Sequence, residues 1–221
     1  MSELDTPPVR NDSLAVDFVA DMVCPWCYLG WVRLKSAAAM RPGVETAIVW
    51  RPYQLDPSLP EDGVDRRAYM AAKFPDADRM KAVQAALTQA AADDGVTLRL
   101  DRIAKSPNTS AAHRLIRWAQ GQNRQDAVVE ALFTAYFEEG CDIGDPEVLA
   151  DIGASAGMDR LVILDLLSRE ADKDVVHREH RMAVEAGVTG VPFMVFDQKF
   201  SVIGAEPAAK LVRAIDHAVK T

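Results

Sequence analysis

Three cysteines in 221 residues are too few for a disulfide framework, and a chain of this length can bury a core without one. No stretch approaches the roughly eighteen uncharged apolar residues that a membrane-spanning helix needs. The opening MSELDTPPVRNDS likewise lacks a basic segment followed by an apolar one. Lysine and arginine nowhere form a run, and 25 of them face 33 acidic residues for a formal net charge of -8. A phosphate backbone requires a basic face, so no nucleic-acid partner is expected. Internal repeats and low-complexity tracts are also missing. What remains, 49% hydrophobic and 26% charged, has the composition of an ordinary globular protein, and the expectation is a cytoplasmic chain with no membrane partner.

The chain carries an ordered set of elements. Leu14 to Ala20 alternates apolar residues with period two and reads as a buried strand. From Pro25 to Met40 the residues Tyr28, Leu29, Trp31, Val32, Leu34 and Ala38 recur at helical spacing, and Pro42-Gly43 stops the run. Val44 to Leu55 is a second strand, followed by a long loop to Gly63. Then the pattern turns helical and alanine-rich, with segments predicted at 65–93, 108–121, 124–139, 146–156, 159–168 and 169–186. Asn108-Thr109-Ser110 supplies capping oxygens, and Asp145 before Pro146 reads as an N-cap. After Gly187 to Pro192, two short strands joined by Asp197-Gln198 form a hairpin, and Glu206 to Val219 is a closing amphipathic helix. The order predicts an α/β layer fold, 14–60 packed with 187–221, interrupted by a large all-helical insertion at 61–186 and preceded by a tail at 1–13.

Two of the three cysteines, Cys24 and Cys27, stand three apart where the first strand gives way to the first helix. On a helix these positions share a face, which suits the Cα separation of about 5.5 Å that a disulfide prefers. Unpaired backbone N–H groups and the positive end of the helix dipole favour a thiolate at the helix start. Cys24 is therefore the attacking sulfur and Cys27 the resolving one. A pair of this spacing can also be half a zinc site or a structural pair, but no second Cys-x-x-Cys or Cys-x-x-His completes four ligands. The intervening Pro25 and Trp26 tune direction more than speed, because each pKa unit is worth ~1.4 kcal/mol of preference for the charged reduced form while nucleophilicity falls with pKa.

The set DMVCPWCYLG, WRPYQLDP, NTSAAHRL, AYFEEGCDIGD and AGVTGVPFMVF resembles the DsbA-like branch of the thioredoxin superfamily, and within it the FrnE-type proteins. The resemblance implies a thioredoxin-like fold and thiol-disulfide exchange at Cys24 and Cys27. It also implies a cis peptide at Pro192, an isomer the spacing alone leaves open, with the Val191 backbone facing a bound thiol substrate, and it places Asn108 and Thr109 at the pocket edge. No metal or organic cofactor is required, and the partners are a thiol or disulfide substrate, protein or small molecule, and a cellular thiol reductant. An insertion of this size can also form a homodimer surface. The same branch borders 2-hydroxychromene-2-carboxylate isomerases and kappa-class glutathione transferases, which carry a serine at the position of Cys24. A glutathione-dependent isomerase or transferase, with glutathione as co-substrate, is the alternative. A third reading is a redox sensor without turnover.

Other polar residues read as structural. His113 reads as a satisfied structural imidazole whose partner is not identifiable in sequence, and His177 and His180 read as a solvated face, since HREH lacks a catalytic metal spacing. Cys141 follows Glu138-Glu139-Gly140, where acidic neighbours oppose a thiolate.

Overall fold

The computed structural model describes residues 12–220, so 1–11 of the expected tail lie outside the described residues. Along the chain run β1 (Asp12–Ala20), α1 (Pro25–Ala39), β2 (Val44–Pro52), β3 (Val64–Asp65), α2 (Arg66–Lys73), α3 (Ala77–Asp93), β4 (Lys105–Ser106), α4 (Ser110–Gln120) and α5 (Gln125–Thr134). A π-helical turn at Ala135–Glu139 extends α5. Then follow α6 (Pro146–Ser155), α7 (Arg160–Ser168), α8 (Lys173–Glu185), β5 (Phe193–Phe196), β6 (Phe200–Ile203) and α9 (Ala208–Lys220).

The main sheet has the order β2-β1-β5-β6. β1 runs parallel to β2, with Phe18 opposite Trp50, and antiparallel to β5, with Phe18 opposite Met194. Leu14, Val16, Phe18 and Ala20 of β1 are buried while Ser13 and Ala15 are exposed, and from Phe18 onward both faces of the strand are covered. That change marks the end of the sheet where the helices close over it. Asp197 and Gln198 join β5 to β6 with φ of 50° and 57°, the pair of positive values that a tight hairpin turn needs to match strand twist.

An aromatic cluster ties the sheet to the helices inserted between its halves. Phe18 meets Trp31 edge-on with centroids 5.7 Å apart and Trp50 at 5.5 Å, and Tyr28 of α1 stacks on Phe133 of α5 at 4.8 Å. Gln125 finishes the exposed edge of β2: its Nε2 donates to the Ile48 carbonyl (2.8 Å) and its Oε1 accepts from Trp50 N–H (3.1 Å). A side-chain amide thus substitutes for a neighbouring strand.

The helical segments depart from the sequence pattern at definable points. The helix expected over 65–93 is two helices, because Pro75 cannot donate a backbone hydrogen bond and Asp76 caps the next start by accepting from Arg79 N–H (2.9 Å). The helix expected from 169 begins at Lys173, since Glu170 and Asp172 adopt φ of 52° and 61°. Buried Arg114 holds that break, its guanidinium donating to the carbonyls of Ala171 (2.5 Å) and Leu166 (2.7 Å), the latter shared with Ala171 N–H at 3.1 Å, where α7 ends. β3 and β4 pair antiparallel over two residues each, so the inserted segment carries a short ladder besides its helices.

Candidate active site

The chain leaves β1 at Ala20 and turns back on itself, with Cys24 N–H donating to the Asp21 carbonyl at 3.2 Å. Cys24 is the N-cap of α1 in extended conformation (φ −91°, ψ 110°), Pro25 is at the first helical position, and no acidic residue lies in the first turn. The Cys24 carbonyl accepts from Cys27 N–H (2.9 Å) and Tyr28 N–H (3.2 Å), which fixes the two cysteines one turn apart. Both thiols are free; Cys24 is 5% exposed and Cys27 is fully buried. Pro25 is half-buried, and Trp26, also half-buried, packs against the core.

The loop before β5 lies across this turn. The Cys24 thiol faces the Val191 carbonyl at 3.7 Å, and the Val191–Pro192 peptide is cis. α1 approaches this loop so closely that a Cβ on Gly30 would sit 2.9 Å from Pro192 Cγ, so glycine at this point is what lets helix and loop meet. Burial pushes the Cys27 thiol well above the usual range, the hydrogen bond and charge of Cys24 push it the same way, and a hydrogen bond from the Asp21 backbone opposes them.

Beneath the cysteines lies a polar network that the sequence pattern did not bring together. Asp21, 1% exposed, accepts from Leu55 N–H at Oδ2 (2.7 Å), while its Oδ1 makes no hydrogen bond. Buried His113 of α4 stands beside it, with Nε2 3.4 Å from that oxygen. Nε2 is engaged instead with the Tyr53 carbonyl at 3.2 Å. At the other ring nitrogen, Trp50 Nε1–H donates to His113 Nδ1 at 3.0 Å. An indole is only a donor, so Nδ1 carries no proton and His113 is the Nε2–H tautomer in this arrangement. His113 is thus a satisfied imidazole whose partners are Trp50 and Tyr53, and it links α4 to β2 and to the residues before α1.

The remaining sequence candidates fall around this network. Asn108 Oδ1 accepts from Ser110 N–H (3.0 Å), as a cap does, and also from Gln54 Nε2 (3.1 Å), while its Nδ2 donates to the Leu59 carbonyl (2.7 Å). Thr109 is buried and makes no side-chain cap. His180 is not part of a solvated face: its Nδ1 accepts from Gln54 N–H (3.1 Å), its ring meets Tyr53 edge-on, and burial lowers its pKa. Cys141 donates to Glu139 at 3.7 Å; burial first and Glu139 second raise its pKa. Among the described residues no group of three or more His, Cys, Asp or Glu side chains could hold a metal ion, and no helix is long and apolar enough to cross a membrane.

Residues 15–216, spanning both halves of the sheet and everything between, match the DSBA-like thioredoxin domain. The chain belongs to this family. Its DsbA-like fold is shared with the crystal structure of a probable DsbA oxidoreductase from Streptomyces coelicolor, at 31% identity, TM-score 0.83, and coverage of 93% of this chain and 89% of that one. Over 177 residues the chain is 25% identical to the uncharacterized protein YwbO of Bacillus subtilis, covering 80% of this chain and 83% of YwbO. The fold, at TM-score 0.70 and 19% identity, also extends to a 2-hydroxychromene-2-carboxylate isomerase, covering 92% of this chain and 95% of the isomerase. Membership of the DsbA-like family supports a redox or isomerase enzyme with Cys24 and Cys27 as a close pair.

Proposed function

We propose that the protein is a thiol-disulfide oxidoreductase working through its Cys24-Pro25-Trp26-Cys27 turn. The Cys24 thiolate attacks a substrate disulfide, forming a Cys24–substrate bond and releasing one substrate thiolate. Cys27 then attacks Cys24 Sγ, closing the Cys24–Cys27 disulfide and releasing the second thiolate. Two electrons pass from the cysteine pair to the substrate, the two released thiolates take up the two protein thiol protons, and a cellular thiol reductant restores the pair. The same steps in reverse oxidise a dithiol.

One observation carries this reading: two free thiols one helical turn apart at the start of α1, with Cys24 opposite the Val191 carbonyl at 3.7 Å. Val191 and Pro192 form the substrate edge, Asn108 and Thr109 the rim, and Pro25 and Trp26 set the poise of the pair. Protein disulfides and small-molecule disulfides both suit the chemistry, glutathione serves as a co-substrate, and no metal or organic cofactor enters the cycle. The setting is the cytoplasm, whose thiol pools supply the reductant.

The test is turnover of a protein disulfide with a thiol reductant, comparing wild type with Cys27→Ser. Loss of turnover in the variant, with a substrate adduct held on Cys24, is the expected result. Full turnover without Cys27 would shift the reading to a glutathione-dependent isomerase or transferase. Reversible oxidation with no catalysis in the wild type would leave a redox sensor.

A further inference from the structure

Residues 53–61 leave β2 and run beside the Cys24 turn, and groups from the elements around them fasten their backbone. Tyr53 N–H donates to the Ala20 carbonyl at 3.0 Å and Leu55 N–H to Asp21 Oδ2 at 2.7 Å, so the segment follows the residues that lead into Cys24. The Tyr53 carbonyl lies 3.2 Å from His113 Nε2, and Gln54 N–H donates to His180 Nδ1 at 3.1 Å. Further on, the Leu59 carbonyl accepts from Asn108 Nδ2 at 2.7 Å, Asp56 accepts from the Tyr69 hydroxyl at 3.1 Å, and Glu61 pairs with Lys173.

Two imidazoles thus hold neighbouring peptide groups, and they do so in opposite senses. His113 donates: its Nδ1 is filled by the Trp50 indole, so the proton on Nε2 serves the Tyr53 carbonyl, and a second ring proton would leave that bond in place. His180 accepts, which only a ring nitrogen without a proton can do. A doubly protonated His180 would set N–H against N–H at Gln54. Among these fastenings, this is the one whose role reverses within the range from about pH 5 to about pH 8 where imidazoles ordinarily titrate.

His180 is half-buried, so a proton can reach it from solvent. The groups that face it are His113 on α4, Asp21 before α1, Tyr53 after β2, and His177 and Arg181 on α8 itself. Burial first, then His113, His177 and Arg181, disfavour a charge on His180, and Asp21 favours one. The closed segment therefore selects the neutral, accepting ring.

We propose that His180 is a proton-sensitive latch on the 53–61 segment, closed while Nδ1 accepts from Gln54 N–H and open once that nitrogen is protonated. Opening frees Gln54, whose Nε2 donates to Asn108 Oδ1 at 3.1 Å, so Asn108 loses a support. Leu55 N–H, the next peptide along, leaves Asp21 as the segment lifts. That this segment borders a substrate pocket rests on the oxidoreductase reading above; the latch itself does not. The closed form binds the proton less tightly than the open one, whose imidazole has the ordinary value of about 6.5. Closure is thus fully favoured above about pH 6.5 and is lost as pH falls through the lower value of the closed form.

Hydrogen exchange at single backbone amides, corrected for the intrinsic rate at each pH, reads the latch in the full-length reduced protein. Protection at Gln54 and Leu55 should be level above about pH 7 and fall about tenfold per pH unit below about 6.5, until the closed form itself titrates. Asp197 N–H, bonded to the Ala15 carbonyl at 2.7 Å in the sheet, should stay level and report any global loss. His180→Asn sets an amide oxygen near the position of Nδ1 and cannot titrate, so it should keep the protection and remove the slope. His180→Leu has no acceptor, and Gln54 protection should drop about tenfold near pH 7.5.

A level Gln54 profile in the wild type overturns the proposal. So does a slope that survives in His180→Asn, because it would belong to another group such as His113. A fall at Gln54 with Leu55 unmoved overturns it as well, since the segment would not open as a unit. Should His180→Leu fail to fold, the wild type and His180→Asn decide. Turnover of a protein disulfide is scored apart: its absence removes the oxidoreductase reading and leaves standing a latch that exchange has shown.

Discussion

Cys24 and Cys141 stand at opposite ends of helical segments, and the contrast shows how little the residue type decides by itself. Cys24 caps the start of α1, where open backbone N–H groups gather, no acid lies in the first turn, and a second thiol follows one turn on. Cys141 comes after the π-helical turn, beyond Gly140 with its φ of 81°, and its thiol points at Glu139. Burial and the Glu139 charge both hold Cys141 in the neutral thiol form. A helix start opposite the Val191–Pro192 loop offers a cysteine open N–H groups and a facing carbonyl, whereas a helix end among acids holds one in its neutral thiol form.

The sharpest way to break this comparison is to remove each sulfur in turn. Cys24→Ser should cost disulfide exchange about a thousandfold or more, while Cys141→Ser stays within about twofold, both read as turnover of a protein disulfide. Parity between the two variants would erase the distinction. Gly30→Ala is next: its methyl would press on Pro192 at 2.9 Å, and the expected loss is about 1–3 kcal/mol in thermal or denaturant unfolding. An unchanged midpoint would show that α1 does not need glycine to meet the loop.

Smaller effects come from the residues that seat α1 on the inserted helices. The Tyr28 hydroxyl donates to Glu138 at 2.6 Å, so Tyr28→Phe should lose about 0.5–1.5 kcal/mol. Burial, then the Glu138 hydrogen bond, raise the Tyr28 pKa to about 12 from 10. The native state therefore holds the proton more tightly than the unfolded chain. That contribution is complete below about pH 10 and is lost as pH rises through about 12, so wild type and variant should converge in alkaline unfolding titrations. Smallest is Glu139→Gln, which should lower the Cys141 pKa and speed its alkylation near neutral pH about threefold, measured by peptide mapping.

Much of this layout is legible in the chain itself. The period-two run before Cys24, the helical run after it and the Asp197-Gln198 turn each depend on local chemistry, and each appears where that chemistry puts it. Pro75 and Asp76 are also local signals for a break within 65–93, set between alanine-rich helical runs on both sides. The break before α8 is different, since it depends on Arg114 reaching the carbonyls of a distant helix end. The same limit hid the polar network: Asp21, Trp50, Tyr53 and His113 are scattered in sequence, and parallel pairing of β1 with β2 under α4 brings them together. Local spacing found the thiols and could not find what surrounds them.

A reversible bond between Cys24 and Cys27 is tested by equilibration in graded glutathione redox buffers, then acid quench, alkylation and mass mapping of all three cysteines. The expected result is a Cys24–Cys27 disulfide that forms and reopens across the series, with Cys141 outside it. A Cys24 that stays reduced throughout, or that accumulates a glutathione adduct Cys27 never resolves, would contradict it.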